Sequence, residues 1–135
     1  MTKQGSRIVS QWFAKSAENL RLAKSILQLQ GQFYDHICFN AQQSAEKAIK
    51  GYLTAQKIRF DKTHDIAVLT ALVRTVDANL AEQLKEADQL TKYAVRIRYP
   101  EETGEPLVVD KNLALRMIEI ADGVYNLLHA QIDGV

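Results

Sequence analysis

The sequence has little cysteine, little proline and no excess of charge of either sign. Cys38 is the only cysteine, so no disulfide can form within the chain, and three scattered histidines give no spacing typical of a zinc site. Seventeen lysines and arginines against sixteen acidic residues leave a formal net charge of +1. This balance excludes the broad basic field that drives non-specific DNA binding. We therefore expect no metal, no cofactor and a reducing compartment.

Segments that target or anchor a chain are also missing. Met1 to Gln11 lacks the apolar core of a signal peptide, and no apolar run approaches the roughly 20 residues that span a membrane. The sequence contains no glycine-rich phosphate loop and no internal repeat. At 135 residues, it has the usual size of one domain. We expect a single cytoplasmic domain, residues 1–135, that contacts no membrane and lacks the common nucleotide-hydrolase chemistry.

Apolar residues, which make up 47% of the sequence, recur at spacings of three and four. This period is typical of amphipathic helices, and no segment alternates as a half-buried strand would. Pro100 ends one helical segment because it lacks a backbone donor. The pattern predicts an all-α fold, an up-and-down bundle of four to five helices. The predicted helices cover residues 6–27, 32–56, 64–73, 80–99 and 111–128.

Short flexible or polar segments separate the predicted helices. Gly31 sits where a helix end needs a residue that tolerates positive φ, so we expect the first two helices to be antiparallel neighbours. Thr63 and Asp110 are predicted to cap the third and last helices, since their side-chain oxygens can accept backbone hydrogen bonds. Residues 101–109 contain glycine and proline and are predicted to form a loop long enough to move.

One side of the second predicted helix is rich in small residues. Ala41, Ala45 and Ala48 recur at helical spacing and should let another helix approach closely, because a methyl group keeps two backbones near each other. Cys38 lies on the same side and is interpreted as a core residue, since free cysteine is commonly buried.

Another face of this helix is polar and also follows helical spacing. One interpretation is a solvated face on which Glu46 and Lys50 form an i, i+4 ion pair worth about 0.3–0.5 kcal/mol. The other interpretation is a ligand site at which the lysines meet an anion. Composition alone favours the solvated face. The residues concerned are Asn40, Gln43, Glu46, Lys47 and Lys50.

Arginines and aromatic rings meet at the end of the fourth predicted helix. Arginine can form two hydrogen bonds to phosphate or carboxylate, and a tyrosine ring can stack on a base. Arginines near a helix C-terminus also cap free carbonyl groups, and the spacing leaves both roles open. The residues are Tyr93, Arg96, Arg98, Tyr99 and Pro100.

His64 differs from the other two histidines because it lies at a predicted helix start, beside Asp65. A neighbouring carboxylate can orient an imidazole ring for proton transfer. A histidine that only caps a helix is the commoner case, and we favour that role.

Three ordered motifs resemble the HEPN family, the higher eukaryotes and prokaryotes nucleotide-binding domain. The most specific motif is QQSAEKAIK at residues 42–50, within a matching segment that covers residues 34–53. It is followed by KTHDI at residues 62–66 and then by RYP at residues 98–100. Residues 17–23 of the first predicted helix also match, so the resemblance covers nearly the whole chain.

The resemblance implies an up-and-down helical bundle that commonly dimerises and occurs alone or beside a small nucleotidyltransferase. Some members are RNA-cleaving toxins, in which an arginine, four to six residues and a histidine form the catalytic motif. The region from Arg96 to Gly104, where that motif belongs, contains no histidine. Arg59 and His64 have the spacing but lie in the loop after the second predicted helix. The resemblance therefore implies a non-catalytic member.

Together these observations lead to a functional prediction. We expect a homodimeric module that binds a nucleotide, or that acts as the partner of a small nucleotidyltransferase in a pair of toxin–antitoxin type. RNA is a weaker candidate ligand, and a metal-independent HEPN ribonuclease using Arg59 and His64 is the alternative. Lysines and arginines are expected to contact phosphate, and tyrosine to contact the base. The candidate ligand-binding residues are Gln43, Lys47, Lys50, His64, Arg96, Arg98 and Tyr99.

Overall fold

Helical periodicity produces six α-helices in the computed structural model, which describes residues 3–98 and 109–132 except the side chains of residues 4, 97 and 98. The part of the chain described contains no strand, so the predicted all-α bundle is confirmed. A 3-10 turn at Lys85–Ala87 joins the fourth helix to the fifth. In chain order the helices are α1 (Lys3–Leu27), α2 (Tyr34–Ala55), α3 (Ile66–Arg74), α4 (Ala78–Gln83), α5 (Asp88–Arg98) and α6 (Lys111–His129).

Helix α2 is the centre of the bundle. It packs against α1, α3, α5 and α6, so neighbours cover it on several sides. Between Ile37 and Leu53 every residue is buried except Phe39, Gln43 and Lys47, which are half-buried. A helix in this position buries its polar residues together with its apolar ones, and each buried polar group then needs a hydrogen-bonding partner.

Helices α1 and α2 lie antiparallel and close together, as predicted. The hydroxyl of Ser16 donates a hydrogen bond of 2.7 Å to the carbonyl oxygen of Ser44. At Gly51, an added Cβ would lie 2.9 Å from Cε2 of Phe13 and 3.0 Å from Cβ of Trp12, too close for ordinary contact. Small residues therefore set the spacing of this helix pair. The predicted alanine stripe is fully buried, as expected.

Helix α6 packs against both α1 and α2. The ring of Phe13 meets the edge of the His129 ring, with centroids 5.5 Å apart, and Lys24 pairs with Asp122 at 3.3 Å. These two contacts show that α6 runs antiparallel to α1. Asp110 caps α6 as predicted, because its carboxylate accepts a hydrogen bond of 2.9 Å from the backbone N–H of Leu113.

The start of α3 differs from the prediction. Thr63 is not its N-cap, because the side chain of Asp65 accepts the backbone hydrogen bond of Ala67 at 3.0 Å and the helix begins at Ile66. The Thr63 hydroxyl instead accepts a hydrogen bond of 3.1 Å from the backbone N–H of Asp65. His64 thus lies between these two residues, in the connection that precedes the helix.

The predicted helix over residues 80–99 is interrupted. The backbone N–H of Leu84 lies 3.1 Å from the carbonyl oxygens of both Leu80 and Ala81, where the chain tightens into the 3-10 turn. Leu84, Ala87 and Leu90 are spaced by three, the period of a 3-10 helix, and all three are buried. The tighter turn keeps these side chains on the core and divides the segment into α4 and α5.

Further predictions concern Gly31, Cys38 and residues 99–108. Gly31 has the expected positive φ of +114°, but α1 already ends at Leu27, so Gly31 lies in the connection to α2 rather than at the helix end. Cys38 is buried as expected. Tyr99, Pro100 and residues 101–108 of the predicted loop lie outside the described residues. None of the described helices combines the length and the apolar character needed to cross a bilayer.

Candidate functional site

Most of the polar face of α2 is buried. Glu46, Lys50 and Asn40 are only 3%, 7% and 8% exposed, whereas Gln43 and Lys47 are half-buried. The interpretation of this face as solvated is therefore wrong. The cause is the central position of α2, because α1 and the connection from α2 to α3 pack against this face.

The Glu46 carboxylate lies at the centre of a buried hydrogen-bonding cluster. Its Oε2 accepts from the Lys50 ammonium at 3.0 Å, and its Oε1 accepts from the Gln42 amide at 3.2 Å. The same Oε1 lies 3.0 Å from Nδ1 of His64. A carboxylate is costly to bury unless it is paired and hydrogen-bonded, and these three partners meet that requirement.

His64 connects this buried cluster to the surface. Its side chain is 79% exposed, although Nδ1 is bonded to the buried Glu46. Because the acceptor is a carboxylate, we assign the hydrogen to Nδ1, which leaves Nε2 as the ring nitrogen open to a ligand. The backbone carbonyl of His64 accepts from the Gln42 amide at 2.9 Å and from the Thr91 hydroxyl at 3.4 Å. The ring is therefore exposed, while α2 and α5 both hold its backbone.

Aromatic rings cover Lys50. Its ammonium lies 5.8 Å from the centroid of the Trp12 ring and 5.9 Å from that of Phe60. The two rings meet edge to face, with their centroids 6.3 Å apart. This geometry is typical of a cation–π contact, which adds to the ion pair with Glu46. Lys50 thus serves as a buried counter-ion, and any effect on a ligand would pass through Glu46.

A second set of contacts joins Lys47 to α1. Its ammonium donates a hydrogen bond of 2.7 Å to Oδ1 of Asn19, whose amide donates at 3.0 Å to Oδ1 of Asn40. The Asn40 amide in turn donates to the carbonyl oxygen of His36 at 2.9 Å. Asn19 therefore positions both polar side chains along the edge of the α1–α2 pair.

The Gln43 amide extends the Glu46 cluster, because it donates a hydrogen bond of 2.9 Å to Oε1 of Gln42. Hydrogen bonds through Gln42 and Glu46 thus connect Gln43, Lys50 and His64. Lys47 belongs to the separate set with Asn19 and Asn40. Asn19 and Gln42 were missed as site residues in the sequence. Asn19 follows Trp12 and Ser16 at helical spacing, a signal that could have placed it beside α2. Both sets lie on or against the polar face of α2, and together we call them the α2 polar network: Asn19, Asn40, Gln42, Gln43, Glu46, Lys47, Lys50 and His64.

The remaining candidates lie on or near α5. Arg96 is half-buried on this helix. The same helix carries Thr91, whose hydroxyl accepts a hydrogen bond of 3.0 Å from the backbone N–H of Ile66. The Arg98 side chain and Tyr99 lie outside the described part of the chain. Their ligand roles stay predictions.

Arg59 is exposed in the connection that precedes His64. Both residues are described, and no hydrogen bond joins them. The structure therefore adds no contact to the Arg59–His64 spacing seen in the sequence.

The described residues offer neither a metal-binding cluster nor a reactive thiol. Within residues 3–98 and 109–132, no group of three or more histidine, cysteine or acidic side chains is arranged to hold a metal ion. Burial raises the pKa of the Cys38 thiol to about 11, and the nearby Asp35 carboxylate adds to this shift. At neutral pH Cys38 is therefore a protonated core residue and a poor nucleophile.

Comparison with known proteins identifies the same family that the sequence motifs resemble. The model of the HEPN domain matches residues 9–131 of the sequence. The fold is similar to that of TT1696 from Thermus thermophilus, with a TM-score of 0.71 and 24% identity over 92% of this chain and 98% of that chain. It is also similar to ST0689, an archaeal HEPN homologue, with a TM-score of 0.68 and 25% identity over 91% of this chain and 96% of that chain. No curated protein matches the sequence.

Proposed function

Because this chain belongs to the HEPN domain family, we propose that it binds a nucleotide at the α2 polar network and does not cleave it. The observation that carries the proposal is the position of His64. Its ring is mostly exposed, yet a buried carboxylate anchors it beside an amide and a lysine on α2. Such a preorganised polar surface is suited to a phosphate group, since little side-chain entropy is lost when the ligand binds.

Three side chains supply the phosphate contacts in this proposal. Lys47 uses one of its three ammonium hydrogens on Asn19, which leaves two for a phosphate oxygen. Gln43 likewise retains one amide hydrogen after its bond to Gln42. When protonated, His64 can donate from Nε2. Arg96 and Arg98 are expected to add positive charge. The base contact predicted for Tyr99 lies outside the described residues and stays a prediction from the sequence.

Isothermal titration with a nucleotide panel tests the proposal. Replacing Lys47 with methionine keeps the length of the side chain and removes its charge, so we expect nucleotide affinity to fall at least about tenfold. The matched control is Lys111→Met, which removes an exposed lysine at the start of α6. Failure of any nucleotide to bind at millimolar concentration would exclude the proposal. Cleavage of RNA that disappears in His64→Ala would replace it with the ribonuclease alternative.

A second candidate function is that of a partner protein for a small nucleotidyltransferase in a pair of toxin–antitoxin type. It is favoured by a groove of about 400 Å³ on the outer face of α1, where Trp12 is half-buried and Ile8 is 40% exposed. Tryptophan and an exposed apolar neighbour are typical of protein interfaces. Gln11 and Lys15 complete the lining of the groove.

Co-purification with a separately encoded nucleotidyltransferase tests the partner role. We expect Ile8→Glu to disrupt the complex, because it places a charge in the apolar groove. Val76→Glu, at an exposed valine after α3, is the control. Equal recovery of both variants with the enzyme would rule out this surface. Sedimentation of the wild-type chain alone tests the predicted homodimer, and a monomer mass would contradict it.

A further inference from the structure

A second groove lies where α1 ends and α2 begins, and it has a volume of about 310 Å³. Three of its large apolar side chains are about half exposed to solvent, and exposed apolar side chains that are grouped together are typical of a binding surface. The volume lies at the lower end of the range of about 300–1,000 Å³ that is typical of small-molecule sites. The groove is lined by Leu22, Ile26, Leu29, Phe33, His36 and Asn40.

This groove is continuous with the α2 polar network. Asn40 belongs to both, and it is joined through Asn19 to the ammonium of Lys47 by hydrogen bonds of 3.0 and 2.7 Å. Along α2, residues 36, 40, 43 and 47 are four, three and four positions apart, so they share one stripe of the helix. The groove therefore has an apolar aromatic end and leads to a cationic one.

We infer that this groove receives the base of the bound nucleotide, an inference that rests on the proposed function. A nucleotide is a planar, weakly polar base joined to an anionic phosphate, which matches the order of groups along the stripe. The rings of Phe33 and His36 offer stacking faces, with their centroids 6.3 Å apart and their planes inclined by 58°. Stacking on aromatic rings tolerates any base and contributes strongly to single-strand and nucleotide binding.

Gly31 keeps the Phe33 ring in this position. A Cβ added at Gly31 would lie 2.8 Å from Cε2 of Phe33, and the backbone there has φ of +114°, which side chains rarely adopt. The phenylalanine ring therefore lies against the bare backbone of the turn. This packing presents the Phe33 ring at the mouth of the groove.

A larger cavity of the protein does not fit the same ligand. It lies between α6 and the α4–α5 connection and has a volume of about 580 Å³. Arg116, the only cation among the described residues that line it, is paired with the carboxylates of Glu86 and Glu119. Two acidic groups against one arginine disfavour a phosphate at that surface.

Isothermal titration can separate the base from the phosphate. ATP and GTP are compared with inorganic tripolyphosphate, using the wild-type chain and Phe33→Ala. We expect both nucleotides to bind at least about tenfold more tightly than tripolyphosphate, and Phe33→Ala to weaken nucleotide binding about tenfold while tripolyphosphate binding is unchanged. The matched control is Leu115→Ala, which shortens an exposed leucine on α6.

The remaining outcomes overturn the inference in different ways. If tripolyphosphate binds as tightly as the nucleotides and Phe33→Ala has no effect, the base does not enter this groove, although the proposed function stands. If neither ligand binds, the proposed function and the inference both fail. If sedimentation shows a dimer that Phe33→Ala dissociates without changing nucleotide affinity, the groove is an interface between two copies of the chain.

Discussion

Glu46 and His64 share a hydrogen bond of 3.0 Å, although the first side chain is buried at the centre of the bundle and the second is mostly exposed. This bond ties the connection between α2 and α3 to the central helix. It also means that the carboxylate of Glu46 fixes the orientation of the exposed imidazole ring of His64. The stability of the core and the geometry of the candidate site therefore depend on the same carboxylate.

Removing the charge of Glu46 should destabilise the protein strongly. In Glu46→Gln the Lys50 ammonium stays buried without its counter-ion, so we expect the free energy of unfolding to fall by about 3 kcal/mol. Urea unfolding measures this change. The double variant Glu46→Leu, Lys50→Met removes both charges and should recover most of the loss, because replacing a whole buried pair with apolar groups is often neutral. A double variant as unstable as the single one would contradict this account.

Two glycines within helices should respond in opposite directions to alanine. At Gly51 the new methyl group would meet the Phe13 ring at 2.9 Å, so we expect Gly51→Ala to lower stability by about 1–2 kcal/mol. Gly123 has nothing within 4 Å of an added Cβ, and Gly123→Ala should raise stability by about 0.5–1 kcal/mol through helix propensity. Thermal unfolding of both variants tests the close approach of α1 and α2, which would be refuted if both gained stability.

The cap of α3 can be tested with a matched pair. Asp65→Ala removes the side chain that accepts from the N–H of Ala67, and we expect a loss of about 1 kcal/mol. Thr63→Ala removes an acceptor only from the preceding turn and should cost less. Chemical denaturation of the two variants compares these effects. A larger loss for Thr63→Ala would return the cap to the position predicted from the sequence.

The buried thiol should make stability depend on pH in the alkaline range. Burial raises the pKa of Cys38 from 9.0 to about 11, so the folded state favours the protonated thiol. This contribution is complete below pH 9 and is lost as pH rises through about 11, with a total of about 3 kcal/mol. We therefore expect the free energy of unfolding to fall across this range.

The matched control for this prediction is Cys38→Ala. It lacks the thiol, so its free energy of unfolding should fall less than that of the wild type over the same pH range. Burial also raises the pKa of the Tyr52 hydroxyl, but that group is present in both proteins and cancels in the comparison. Equal pH dependence of the two proteins would show that Cys38 titrates normally.

The sequence allowed us to propose which residues form the candidate site, but not which contacts those residues make. The motif at residues 42–50 contains side chains that the structure brings together with His64, because Gln42 and Glu46 connect Gln43, Lys50 and His64 by hydrogen bonds. Lys47 instead bonds to Asn19 on α1. Spacing along one helix places side chains on a face, but it does not say what covers that face. Whether Lys50 meets a ligand or a buried carboxylate depends on neighbours far away in the sequence.

The bounds of the longest helices in this protein could be predicted from the amino-acid sequence alone. The three- and four-residue period marks α1, α2 and α6 close to their observed bounds, because each helix buries its own apolar stripe. Asp110 begins α6 as predicted, since a cap depends on hydrogen bonds within a few residues. Gly31 has the predicted positive φ, although α1 already ends at Leu27.

The central position of α2 and the role of its polar face, in contrast, come from the packing of the helices. Burial of Glu46 and Lys50 follows from the contacts of α1 and the α2–α3 connection with α2. The division of α4 from α5 at Leu84 likewise follows from keeping three side chains on the core. Such outcomes depend on long-range packing, because the energy of burying a polar or apolar group is set by the neighbours that surround it rather than by its position in the sequence.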